Sequence, residues 1–219
     1  MTTAIPPGAR VAPLTRAGLL DAVRVLAAQD AGLAAIVARH GPPPLWARPR
    51  GFATLVRIIL EQQVSLASAA TLYARVAATL GGMTPARVDA VGAAGLQALG
   101  LTRQKARYVA TLANRVATGA LPLASLAHRP DAEAEALLLD VPGIGPWTAR
   151  IYLLMALRRP DVWPPGDLAL HRALARLDGR ADVPGSVAAT ARAERWRPWR
   201  AVASRILWHG YLADRRMGA

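Results

Sequence analysis

Apolar residues recur along most of the chain at intervals of three and four, the spacing of one face of a helix. Phe52, Leu55, Val56, Ile59 and Leu60 form one such run, and Leu66, Ala69, Ala70, Tyr73, Val76 and Leu80 form the next. Glu61-Gln62-Gln63-Val64-Ser65 interrupts them, with Ser65 placed to cap the second helix and the glutamines left at the turn. Upstream, Thr15 can cap an amphipathic helix to about Ala28, a short helix ends near His40, and Gly41-Pro42-Pro43-Pro44 breaks the chain. The proline-rich segment from Met1 to Leu14 is expected to wrap the surface. Downstream, Gly81-Gly82 ends a helix, Thr84-Pro85 caps the following one, turns fall at Gly92 and Gly100, and Thr102 caps a basic helix whose apolar face includes Val109, Leu112 and Val116. Pro130-Asp131 starts a helix that ends in Leu137-Leu138-Leu139. A hairpin from Asp140 to Pro146, a helix from about Trp147 to Leu157, a loop from Arg158 to Gly166 and a helix from Asp167 to Leu177 follow. The last two helices begin after Ser186 and near Pro198, the latter reaching Asp214. The fold class is all-α.

Composition sharpens this picture. Alanine, leucine and arginine dominate while β-branched and aromatic residues are sparse, which favours helix nearly everywhere. With 219 residues and 53% hydrophobic content the chain can bury a real core. A formal net charge of +13 and a pI of 11.6 point to a polyanion, nucleic acid first; an arginine-rich composition inherited from a GC-rich genome is the alternative. There is no cysteine, so disulfides, thiolate metal sites and an iron–sulfur cluster are ruled out. Neither a signal-type leader nor a run of about 18 apolar residues occurs, so neither secretion nor membrane insertion is expected. A cytoplasmic location is the default.

Two stretches carry candidate chemistry. Val141-Pro142-Gly143-Ile144-Gly145-Pro146-Trp147-Thr148-Ala149 has glycines spaced for a sharp turn that presents amide groups ahead of a helix N-terminus, a nest for phosphate. Gly-x-Gly alone fits an ordinary tight turn equally well. Asp167 follows Pro164-Pro165-Gly166 and precedes an apolar helix, a favoured N-cap position where the macrodipole and free amides favour a charged carboxylate.

The hairpin, with Leu137 to Leu139 before it and Ile151 to Leu157 after it, resembles the helix-hairpin-helix DNA glycosylase superfamily, and within it the 3-methyladenine DNA glycosylase II branch. The resemblance extends over four blocks in the family order: Phe52 to Ser68, Gly100 to Ala106, Leu137 to Leu170, and Arg195 to Trp208 with its Trp-Arg-Pro-Trp-Arg. Long members carry an N-terminal β-rich domain. About fifty residues precede the first block here, as in a minimal form. The implied fold is two helical lobes flanking a cleft, a central lobe over 46–164 containing the helix-hairpin-helix at 137–157, and a terminal lobe from 1–45 and 165–219.

The resemblance implies a monofunctional enzyme that flips an alkylated purine, of the 3-methyladenine or 7-methylguanine type, out of double-stranded DNA and hydrolyses its glycosidic bond in base excision repair. Asp167 takes the catalytic aspartate position, where its charge would stabilise an oxocarbenium-like sugar and orient the attacking water. Members that also cut the strand have a lysine where Trp147 stands. Lys105 is the only lysine, so no lyase step is expected. Trp147 and Trp208 match the base-pocket tryptophans and could stack on the cationic base; Ile151 and Leu168 stand where the family enzyme has tyrosines. Gln63 matches the wedge that fills the gap left by the extruded base. Gly143, Ile144, Gly145, Trp147 and Thr148 would contact the DNA backbone, and the carbonyls of Leu139, Val141 and Ile144 could hold Na+ or K+. No cofactor is needed for catalysis. Trp46 is a candidate for the pocket rim; Trp163, Trp196 and Trp199 are assigned structural roles, and Glu61 and His171 surface or packing roles. The alternatives are a glycosylase for deaminated or oxidised bases and a non-catalytic DNA-binding module. The protein is expected to act as a monomer near the nucleoid.

Overall fold

In the computed structural model, residues 12–217 are described, and among them there is no β-strand. Eleven α-helices and two 3-10 turns make up the described chain. The helices divide between two compact units: one contains the residues from Arg48 to Tyr152, the other those up to Ala47 together with those from Leu153 onward.

The Arg48–Tyr152 unit is organised by α3 (Phe52–Glu61), which is apolar nearly all round and so lies inside, packed against α4 (Leu66–Thr79) and α6 (Arg103–Ala117). α5 (Pro85–Ala98) lies along α6 and is broken at Gly92, whose φ of 60° interrupts the helical path. Ser65, Thr84 and Thr102 cap α4, α5 and α6 as the sequence predicts, each side chain accepting an N–H from the residue three positions on. A 3-10 turn at Leu123–His128, which periodicity does not predict, leads to α7 (Asp131–Leu139). The one carboxylate buried on α3, Glu61, is held by Arg48 through two hydrogen bonds of 2.8 and 3.0 Å and by Arg57 at 3.3 Å. It thus has a packing role, with its charge paired in place. α8 (Pro146–Met155) begins one residue earlier than predicted and ends before Leu157.

The other unit contains α1 (Arg16–Gln29), α2 (Ala31–His40), α9 (Leu168–Leu177), α10 (Ser186–Ala193) and α11 (Arg200–Met217). α11 packs against α1, α2 and α9 around Leu19, Leu26, Leu33, Leu170, Leu174, Val202 and Ile206, all fully buried. The expected course of Met1 to Val11 lies outside the described residues; Leu14 is buried, and its N–H donates to the Arg158 carbonyl at 2.8 Å. The segment 153–164, expected with the central lobe, groups with the chain termini. Its polar groups account for this. Ala201 N–H donates to Pro160 O, and Arg200 donates to the Asp161 carboxylate at 2.8 Å and its carbonyl at 2.9 Å. α11 starts at Arg200, two residues later than predicted, after a 3-10 turn at Glu194–Trp196 and a cis Arg197–Pro198 bond.

Asp30 ties three parts of this unit together. Its Oδ1 accepts the first amides of α2 from Gly32 and Leu33, while Oδ2 accepts Trp196 Nε1 at 2.9 Å and Arg192 at 3.1 Å. Burial alone would raise its pKa, but the bonds from Trp196, Leu33 and Arg192 outweigh that and hold it below the ordinary carboxylate value. Asp30→Ala uncaps a helix and orphans a buried indole, a loss of about 2–4 kcal/mol, and should lower the melting midpoint by roughly 5–15 °C in calorimetry. Because the folded-state value is depressed, the contribution is fully present above about pH 4 and fades as pH falls through that lower value. A variant melting as the parent does at pH 7 would contradict it.

Candidate active site

In the Arg48–Tyr152 unit, the hairpin between α7 and α8 is closed by Val141 N–H to Leu138 O and by Ile144 N–H to Val141 O, at 3.1 and 3.0 Å. Val141 and Ile144 point into the core. Gly143 is required for two reasons: its φ is +90°, and a Cβ there would lie 2.2 Å from a ring carbon of Tyr108. Gly145 differs. It is exposed, and a Cβ there would meet nothing within 4 Å. Nothing in the unit's own packing excludes a side chain at this position.

The hairpin is fastened to the turn after α3 by Gln62, which sequence reasoning did not single out. Its side-chain amide donates to Gly143 O at 3.0 Å and to Thr148 Oγ1 at 2.9 Å. Thr148 is buried, and its hydroxyl is engaged by Gln62. The Ile144 amide donates to Val141 O within the hairpin, and its side chain is a buried anchor. Ala149 N–H is the one that reaches Gly145 O, which leaves the first-turn amides of α8 outside the helix ladder. Among the three carbonyls expected to hold a cation, that of Val141 accepts Ile144 N–H and keeps a second lone pair. Among the described residues no cluster of three or more His, Cys, Asp or Glu could hold a metal.

At the turn after α3, Gln63 is exposed and has a φ of 58°, in the left-handed region that non-glycine residues seldom adopt. Lys105 on α6 holds the base of this turn, its ammonium donating to Leu60 O at 2.7 Å and Gln62 O at 2.9 Å. Burial pushes the Lys105 pKa down. The signal available in the sequence was that a chain with 27 basic residues keeps a single lysine, here where a compact, multi-donor head spans two carbonyls. Trp147 is half-buried and Ile151 is buried.

In the other unit, Gly166 turns the chain with a φ of 73°, and Asp167 follows as the N-cap of α9, its Oδ1 accepting Leu170 N–H at 3.0 Å. The same oxygen accepts Trp208 Nε1 from α11 at 3.2 Å. Trp208 is only 8% exposed. Trp46, whose φ is also positive at 46°, stands edge-on to it with ring centroids 6.5 Å apart. Leu168, expected in the base pocket, is 55% exposed. His171, one turn beyond Asp167, is buried with no partner on Nε2. Trp163 and Trp196 are core residues with centroids 6.0 Å apart.

A glycine hairpin between two helices and a capped, indole-bonded aspartate on an all-helical scaffold define a protein of the helix-hairpin-helix class. The family model for the HhH-GPD superfamily base excision DNA repair protein matches residues 56–199. DNA-3-methyladenine glycosylase 2 of Escherichia coli is 36% identical over 167 residues, covering 70% of this chain and 55% of that enzyme. The crystal structure of a DNA-3-methyladenine glycosidase from Bacillus halodurans is similar with a TM-score of 0.74 at 29% identity, covering 88% of this chain and 91% of that one. The Schizosaccharomyces pombe 3-methyladenine DNA glycosylase in complex with abasic DNA has a TM-score of 0.75 at 22% identity, over 86% of this chain and 95% of that one, a likeness of fold. This chain belongs to the HhH-GPD superfamily of base excision DNA repair proteins. It spans 64% and 55% of the lengths of the Bacillus subtilis and Escherichia coli relatives it matches.

Proposed function

We propose that this protein is a monofunctional DNA glycosylase that flips alkylated purines, such as 3-methyladenine and 7-methylguanine, out of duplex DNA and hydrolyses the bond between base and sugar. The observation that carries this reading is the Asp167 carboxylate, fixed through one oxygen by a backbone amide and an indole N–H. An alkylated purine is cationic and already a good leaving group, so the enzyme mainly has to recognise the base and stabilise the positive sugar that remains. A carboxylate held in place does the second without reorganising as the charge develops. The same carboxylate orients the water that attacks the sugar carbon.

The electron-rich rings of Trp147 and Trp208 stack on the cationic base, a contact of about 0.5–2 kcal/mol each. Ile151 and Leu168, standing where the family enzyme has tyrosines, narrow the choice toward charged lesions. Gln63 enters the space the extruded nucleotide leaves, and its exposed position at a left-handed turn supports this. The hairpin grips the strand through its amides, with a monovalent cation on the carbonyls of Leu139, Val141 and Ile144. The net charge of +13 supports duplex DNA as the partner. The protein works as a cytoplasmic monomer on the chromosome; no helix among the described residues is long and apolar enough to cross a membrane. Lys105, the only lysine in the sequence, has its ammonium committed to two carbonyls, which supports a glycosylase without a lysine-dependent strand cleavage.

Incubating the protein with duplexes bearing each methylated purine, hypoxanthine or 8-oxoguanine, with and without alkali, tests the whole reading. Release of methylated purines with strand breaks only after alkali, and no borohydride-trapped adduct, is the expected result. Release confined to uncharged lesions, or a trapped adduct, would overturn it.

A further inference from the structure

Asp167 Oδ1 receives two donors from two different helices. Leu170 N–H comes from the first turn of its own helix α9, and Trp208 Nε1–H comes from α11. A carboxylate held by a cap bond alone can still rock about its last torsion, which is broad for aspartate. A second donor at an angle to the first removes that freedom, and a hydrogen bond to a charged acceptor is among the stronger kinds.

The indole is itself braced. Trp46 stands edge-on to Trp208 at 6.5 Å and to His209 at 6.3 Å, so it abuts two consecutive side chains of α11. His209 Nε2 lies 3.0 Å from the His40 carbonyl. Trp46 adopts a left-handed backbone, unfavourable for a bulky aromatic residue and maintained only where the surroundings impose it. Arg205 imposes it from the core: its guanidinium, with the residue fully buried, donates to Leu45 O, Ala201 O and Leu154 O at 2.8, 2.9 and 2.8 Å. Desolvation brings the pKa of Arg205 down to about 10, so it remains charged at neutral pH. A buried charge is thus committed to fixing the residue just before Trp46.

We propose that Trp208 is a positioning residue for Asp167, setting the plane of its carboxylate through the indole N–H, in addition to presenting a ring to the base. This inference rests on the reading of Asp167 as the reacting carboxylate. The two roles make separate demands. Stacking needs the ring and favours charged bases; positioning needs the N–H and matters equally for every base the enzyme removes.

Replacing Trp208 with its benzothienyl isostere, which puts sulfur in place of N–H and keeps the ring, separates them, with Trp208→Phe as a second variant. Single-turnover excision of 7-methylguanine (cationic) and of hypoxanthine (neutral, the slower substrate of the two, followed at high enzyme) should slow by roughly the same factor with the isostere, on the order of 10-fold or more. Affinity for an abasic duplex should be unchanged. Trp208→Phe should show the same shared loss plus a further loss on the cationic base. An isostere at the parent rate, or one slowed only on 7-methylguanine, would overturn the proposal. Asp167→Asn is run alongside: if it remains active, the reading of Asp167 fails, whereas an inactive Asp167→Asn with a fully active isostere defeats only the role of Trp208.

Discussion

Asp167→Asn should leave the protein folded and bound to DNA while excision falls by at least about 100-fold, the scale seen when a preorganised group facing transition-state charge is removed. The substitution is well suited to the question because asparagine is as good an N-cap as aspartate. Its carbonyl oxygen can still accept Leu170 N–H and Trp208 Nε1–H, the two bonds that fix Oδ1. What these two bonds do not carry over is the charge. Thermal melting should therefore match the parent, and affinity for a duplex carrying a stable abasic analogue should stay within a few-fold. Single-turnover excision gives the rate. Parental activity would remove Asp167 from the chemistry and leave the hairpin as a grip on DNA.

The two hairpin glycines should respond differently to alanine. At Gly143 a methyl group would sit 2.2 Å from a Tyr108 ring carbon on a backbone with φ of +90°. The ring or the hairpin must move, at a cost of about 2–4 kcal/mol, and Gly143→Ala should lose both stability and duplex affinity. At Gly145 nothing lies within 4 Å of the added carbon, so Gly145→Ala should melt within about 0.5 kcal/mol of the parent. Its duplex affinity should nevertheless fall by roughly 10-fold, because the methyl group occupies space that a phosphate would approach through the exposed amides. Fluorescence anisotropy and calorimetry on both variants check this, and repeating the titration with tetramethylammonium in place of Na+ and K+ tests the proposed hairpin cation, in whose absence parental binding should weaken. Parental affinity in Gly145→Ala would mean that DNA does not come close at this turn.

Much of the architecture is written locally. Ser65, Thr84, Thr102 and Asp167 cap helices where the sequence predicts because a cap is satisfied by an amide three residues away, with no need of the tertiary fold. The hairpin was legible for a similar reason, since Gly143 permits the left-handed backbone that the turn before α8 adopts. The supports of the site were not legible. Gln62 reaches residues 81 and 86 positions away, Lys105 reaches back 43 and 45, and Arg205 holds a carbonyl 160 positions distant. No periodicity encodes such partners. The local hairpin bond from Ile144 N–H to Val141 O is likewise a detail that only the folded chain reveals. The grouping of 153–164 with the termini depends on Arg200 and Asp161, residues whose pairing only the folded chain reveals.

The claim at the centre is that the Asp167 charge acts on a cationic sugar, and a pair of abasic duplexes tests it most directly. One carries a pyrrolidine, which is positively charged at neutral pH in the position of the sugar ring, and the other carries the neutral tetrahydrofuran of the same shape. The parent should bind the pyrrolidine duplex at least about 10-fold more tightly, a difference of roughly 1.4 kcal/mol, and Asp167→Asn should bind the two alike. Equal binding by the parent, or a preference that survives in Asp167→Asn, would contradict the account.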